Sequence, residues 1–167
     1  MRSHNGYEYR PYPDARSRIE SAHFLTKRLV ELLKQHPDEL SSYAKEFLKI
    51  ALWKITEAET RKYQTRFCSM AIWESKDWLA KNAKDRQKNA CHDHVFRSEI
   101  VIPKLLEADE SEIDGLLTQQ VGCVVTEEEH NKLSANDKRN IVDGWDRYVR
   151  EGIEVVDAST GLLYRPI

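Results

Sequence analysis

Residues 91–95 read CHDHV, which puts a cysteine, two histidines and an aspartate within five positions. Residues 123–130 read CVVTEEEH and add a second cysteine, three glutamates and a further histidine. These side-chain types suit metal or acid–base chemistry. A carboxylate and an imidazole can hold a divalent cation against a phosphate oxygen. A separate neutral imidazole, titrating near neutrality, can take a proton from water. A zinc site is an alternative: Cys91, His92 or His94, Cys123 and His130 offer four nitrogen and sulfur ligands, without a C-x-x-C knuckle at either end. A purely structural reading also accounts for part of the pattern. Thr126 and Glu129 form a capping box, and three successive glutamates suit the positive end of a helix dipole.

The elements that must position these residues follow from the hydrophobic spacing. Residues 1–16 are polar and aromatic, with Pro11 and Pro13 around Tyr12, and read as an extended arm. Ser17 and Glu20 suggest a capping box for a first helix, whose stripe is Ala22, Leu25, Leu29, Leu32 and Leu33. His36-Pro37 ends it, because a residue before proline avoids helical angles. A second helix restarts at Asp38, with Leu40, Tyr43, Ala44, Phe47, Leu48, Ala51, Leu52 and Ile55 repeating at threes and fours. No proline intervenes between Pro37 and Pro103, and no glycine between Gly6 and Gly115. Helix is therefore expected through this stretch, with a break near Thr60 or Asn82 and a continuing face of Tyr63, Phe67, Met70, Ala71 and Trp78. Residues 96–110 read as helix or strand. VGCVV at 121–125 reads as a short buried strand, followed by a helix bearing His130 and Leu133. Another helix is expected over 137–148, ended by Gly152, and a hairpin around Ser159-Thr160-Gly161. The expected fold is α+β and mostly α. An N-terminal helical bundle (17–89) packs on a small C-terminal lobe (90–167) with short strands and a hairpin. If residues 93 and 94 lie on a regular strand they point to opposite faces, so both reach one ion only across a bend or bulge.

DHV at 93–95 and VVTEEEHNKL at 124–133 together resemble the two ends of the HNH (ββα-metal) endonuclease motif. The resemblance covers residues 91–133. It implies Asp93 and His130 as metal ligands, His94 as general base, and Mg²⁺, Mn²⁺ or Zn²⁺ as cofactor. With GWDRYVREGIEVVDASTG at 144–161, the same region also resembles the C-terminal half of a family of small bacterial and phage-borne proteins without an assigned activity.

The chain has 167 residues, a formal net charge of -2 and 32% charged residues. That charge excludes a protein coating nucleic acid by bulk positive charge. The distribution is uneven, however: residues 61–104 carry ten Lys/Arg against five Asp/Glu, and residues 105–146 carry three against eleven. The basic block (Arg61, Lys62, Arg66, Lys81, Lys84, Arg86 and Lys88) could track phosphates. The simpler alternative is two solvated faces of opposite sign. Trp145, Arg147 and Tyr148 form a candidate contact cluster if exposed, and an anchor for the hairpin if buried. Three cysteines are too few for a disulfide framework and suggest a reducing cytoplasm. The start lacks the apolar region of a secretory signal, and no run is long enough to span a membrane.

Two function classes follow. One is a metal-dependent nuclease working on nucleic acid or within a nucleic-acid-processing complex. The other is a non-catalytic protein-binding or inhibitor module of phage or bacterial conflict systems. The first requires Asp93, His94 and His130 within about 5 Å of one another, as a shared ion demands. The second requires them apart, with an exposed apolar patch elsewhere.

Overall fold

The computed structural model describes residues 6–39, 42–75, 78, 89–137 and 142–165. In chain order the elements are α1 (Ala15–Gln35), a 3-10 turn (Pro37–Glu39), α2 (Ser42–Thr56), β1 (Phe67–Ser69) and α3 (Met70–Trp73). Then come β2 (Ala90–His94), α4 (Ser98–Glu107), α5 (Glu110–Thr118), β3 (Gly122–Thr126) and α6 (Glu127–Asp137). Last are α7 (Asp146–Arg150), β4 (Val155–Asp157) and β5 (Leu162–Tyr164). The fold is α+β and mostly α, as expected, around one five-stranded sheet of order β2-β3-β1-β4-β5. β1 and β3 are parallel, and every other neighbouring pair is antiparallel.

The helices pack through Val30 and Leu33 of α1, Leu48, Leu52 and Ile55 of α2, and Leu105 of α4, all buried. The sheet separates two further clusters. One holds Tyr7, Cys68, Trp78 and Val124. The other holds Phe67, Cys123, Leu133 and Tyr148. Alternation along β1 and β3 puts adjacent residues in different clusters, as pleating requires.

The stripes differ from the sequence reading in a way that matters below. On α1, Val30 and Leu33 are inside, whereas Leu25 is 65% and Leu32 53% exposed. On α2, Leu48, Leu52 and Ile55 are inside, with Ala44 partly buried beside them, but Tyr43 and Phe47 face solvent. Leu40 lies outside the described residues. α2 ends at Thr56, close to the expected break. Beyond it, the expected helical face through Phe67 is replaced by β1. Phe67 and Cys68 pair with β3 on one side and β4 on the other, and that pairing outweighs local helical preference.

The local signals have mixed outcomes. The Thr126–Glu129 capping box forms: Glu129 N–H donates to Thr126 Oγ1 (3.1 Å), and Thr126 N–H donates to Glu129 Oε2 (2.8 Å). A second box, Asp109 with Glu112, opens α5. The Ser17–Glu20 box does not form. α1 starts three residues earlier, with Asp14 in the N-cap position behind Pro13, and Glu20 pairs with Arg16 instead. Of the helix expected over 137–148, the described residues show Asp137 at the end of α6 and the five-residue α7, and residues 138–141 lie outside the described residues. Before it, Gly144 turns the chain at φ 67°, where a Cβ would come within 2.8 Å of the Phe96 ring. The arm docks from residue 6 onward: Tyr7 is buried, and its hydroxyl donates to the Thr65 carbonyl at 2.8 Å.

Candidate functional site

β2 pairs with β3 through five successive positions, Ala90↔Thr126 to His94↔Gly122, without a bulge. Strand alternation therefore decides the site. Asp93 points to the face covered by α6 and α7. His92 and His94 point to the opposite face, against α2.

On the first face Asp93 is 4% exposed and draws in three partners. His130 Nδ1, on α6, lies 3.3 Å from Asp93 Oδ1. Tyr148 donates its hydroxyl to Oδ2 at 2.5 Å. Arg147 Nη1 donates to the same oxygen at 3.2 Å and to the carbonyls of His94 and Val95. Burial alone would raise the Asp93 carboxyl pKa, but His130, the Arg147 guanidinium and the Tyr148 hydroxyl outweigh it and hold the group below its ordinary value. Burial and the Asp93 charge push the Tyr148 phenol well up, so it remains a donor. α7 presents Arg147 and Tyr148 inward because of how it ends. Gly152, at φ 66°, donates to Val149 O, and Ile153 donates to Tyr148 O. These are the two bonds of a Schellman motif, and its expected apolar contact joins Ile153 and Tyr148 in one cluster.

On the opposite face, His92 Nδ1 donates to the Lys62 carbonyl at 2.7 Å, and its Nε2 lies 3.1 Å from Thr56 Oγ1. Gly122 is required beside it: a Cβ there would come within 2.4 Å of His92 Nε2. His94 stacks on Trp53 of α2, with ring centroids 5.2 Å apart and planes 15° apart. Its Nε2 is buried without a hydrogen-bond partner among the described residues. Burial first, and the neighbouring His92 second, lower the His94 pKa to about 4, so the ring is neutral at pH 7.

The structure thus brings Asp93 and His130 together and sends His94 to the other side of the sheet. The metal implied by the HNH resemblance does not fit this arrangement. Asp93 Oδ2 already faces a guanidinium and a phenol, and the expected base is turned away. Among the described residues no group of three or more His, Cys, Asp or Glu side chains could hold a metal ion. What the cluster does is orient an imidazole and tie β2 to α6 and α7. The two buried thiols offer no nucleophile: burial pushes both Cys68 and Cys123 well up.

The remaining candidate contacts divide. Arg147 and Tyr148 are 5% and 1% exposed, so they serve Asp93 and not a partner. Trp145 is half-buried against Phe67 (5.0 Å) and Tyr164 (4.8 Å). Arg61 and Lys62 are exposed. Arg66 is spent on a bidentate pair with Asp157. Lys81, Lys84, Arg86 and Lys88 lie outside the described residues.

Two apolar surfaces escaped the sequence reading. Tyr43, Phe47, Ile50 and Trp53 form an exposed row on α2. At the far end of the sheet Leu162 is exposed, and the exposed Val149 and Leu163 line a cleft of about 550 Å³. Its walls include Trp145, Tyr148, Ile153, Val155 and Tyr164. No helix among the described residues is long and apolar enough to cross a membrane. Comparison with known proteins returned no matching family model, no matching curated protein and no matching solved structure.

Proposed function

We propose that this chain is a non-catalytic protein-binding module that takes up an extended segment of a partner protein along β5. The observation that carries the reading is the surface around that strand. β5 ends the sheet order, with no strand beyond it among the described residues. Leu162 is 67% and Leu163 45% exposed on it. An apolar edge strand invites another strand, and β5 is a short one, three residues followed by Arg165-Pro166, so its exposed leucines carry the argument. Beside this edge lies the aromatic-walled cleft, which suits alternate apolar side chains of an added strand. Asp146 and Glu154 on its rim, against Arg165, favour a segment that also carries positive charge.

The nuclease reading has less support. It needs His94 beside Asp93 and His130, and an unbulged strand puts it on the other face. A protein or complex that processes nucleic acid remains within the reach of the binding reading as the source of the segment.

The test is selection from a library of displayed linear peptides. The reading expects enrichment of extended sequences with alternating apolar positions. Their binding should be lost in Leu163→Asp and retained in Lys49→Ala, which lies on the other side of the molecule. Failure to enrich any sequence, or enrichment indifferent to Leu163→Asp, overturns it.

A further inference from the structure

The outer face of α2 points to a second interface, and it goes beyond the strand-binding reading. α2 already buries one stripe: Leu48, Leu52 and Ile55 are all within 5% of full burial. Opposite that stripe run Tyr43, Phe47, Ile50 and Trp53, which are 72%, 51%, 49% and 44% exposed. Their spacing of four, three and three is itself helical, so they form a continuous row. Tyr43 and Phe47 are already edge-to-face at 5.1 Å, and Trp53 is braced on His94. A helix that is apolar on both faces belongs in an interior, and nothing among the described residues covers the second face.

We propose that a second copy of this chain covers it, with the two α2 helices antiparallel across a two-fold axis at Ile50. The argument is the symmetry of the side chains about that residue. Three positions either side stand Phe47 and Trp53. Four positions either side stand Glu46 and Lys54. Seven positions either side stand Tyr43 and Glu57, the latter just past the helix end. Two antiparallel helices related by a two-fold bring residues at equal and opposite offsets to the same level. Phe47 then meets Trp53 of the other copy, and Glu46 and the Tyr43 hydroxyl meet the other copy's Lys54 and Glu57, which are themselves paired within their own chain at 2.9 Å. These three levels are complementary, aromatic with aromatic and acid with base or donor. A parallel pair would set Glu46 against Glu46. An isologous patch must be complementary to itself, and few helix faces meet that condition.

The size of the row sets the strength. Four large side chains about half exposed bury on the order of 400 Å² per copy, before the Lys and Glu stems are added. That is the small end of specific interfaces, so the dimer is reversible. It leaves the partner site free. α2 packs beside β2, and β5 lies four strand spacings away, about 19 Å. The dimer therefore displays two β5 edges and binds a repeated or dimeric partner with avidity.

Sedimentation equilibrium of the full chain, with no partner present, tests this separately from the strand-binding reading. The wild type is expected to pass reversibly from monomer to dimer across the micromolar range. Ile50→Asp is expected to weaken the dimer by at least about 100-fold while circular dichroism, and thermal unfolding at concentrations where the wild type is monomeric, stay as in wild type, since Ile50 is half exposed. Glu46→Lys alone is expected to weaken association, and Glu46→Lys with Lys54→Glu to restore it. A wild type monomeric throughout, a dimer indifferent to Ile50→Asp, or a charge swap that fails to restore association each overturns the proposal. A monomeric wild type whose α2 row instead binds lipid vesicles or a different protein is the same negative result for the second copy.

Discussion

The Tyr148 hydroxyl donates to Oδ2 of Asp93 at 2.5 Å across 55 residues of sequence, and both side chains are nearly sealed from solvent. This bond, with Arg147 on the same oxygen and His130 on the other, turns the most chemically suggestive residue of the chain into a fastening between β2, α6 and α7.

Removing the carboxylate should therefore show first in stability. Asp93→Asn removes the carboxylate that faces the buried Arg147 guanidinium, and breaking such a buried pair costs about 3–5 kcal/mol. Tyr148→Phe removes a hydrogen bond to a charged acceptor and costs about 1.5–3 kcal/mol. In urea unfolding the double variant should lose less than the two single losses together, because both act on one carboxylate. Additive losses, or a loss below 1 kcal/mol for Asp93→Asn, would contradict the fastening.

The opposite face predicts a pH dependence. The folded His94 pKa is held near 4 by burial and by His92, below the ordinary histidine value. The unfolded chain thus takes up a proton before the folded one, and stability present above about pH 6.5 is lost as pH falls toward 4. His92, lowered by burial, acts in the same direction. Urea midpoints between pH 7.5 and 4 should fall for the wild type and fall less for His94→Gln. Equal slopes would remove His94 as the cause.

Much of this fold was legible because some signals are local. The Thr126–Glu129 box, the stop at His36-Pro37, the buried strand at 121–125 and the hairpin at Ser159-Thr160-Gly161 each depend on a few adjacent residues. β1 was not legible. Nothing between residues 61 and 75 interrupts a helical reading, and the strand exists because β3 and β4 flank it. The two faces of α2 were also hidden, since Tyr43 and Phe47 sit one position from Ala44 and Leu48, and a three-four repeat admits both sets. At the candidate site the Asp93–His130 meeting was readable as a constellation. The separation of His94 followed from strand alternation once the strand was known to lack a bulge. The inward turn of Arg147 and Tyr148 was not readable, because the Asp93 carboxylate that they meet lies 54 and 55 positions away in the sequence.

Gly152 tests how α7 is held. Its positive φ is a conformation that other residues adopt at a cost, while a Cβ would meet nothing within 4 Å. Gly152→Ala should cost about 1 kcal/mol and Gly152→Asn less, since asparagine tolerates left-handed angles. Equal stability of all three proteins in thermal unfolding would contradict the Schellman ending.

Thiol labelling reports on the sheet. Cys68 and Cys123 are buried and Cys91 is half-buried. In the native protein only Cys91 should react readily with a disulfide reagent, and all three should react in denaturant. Fast native labelling of Cys123 would mean that the face beneath α6 and α7 is open.

The claim that this site fastens and does not catalyse is tested most directly by plasmid nicking with Mg²⁺, Mn²⁺ or Zn²⁺, comparing the wild type with His130→Gln and His94→Ala. The expected result is no metal-dependent nicking above buffer by any of the three proteins. Nicking by the wild type that disappears in His130→Gln, with that variant still folded, would contradict it.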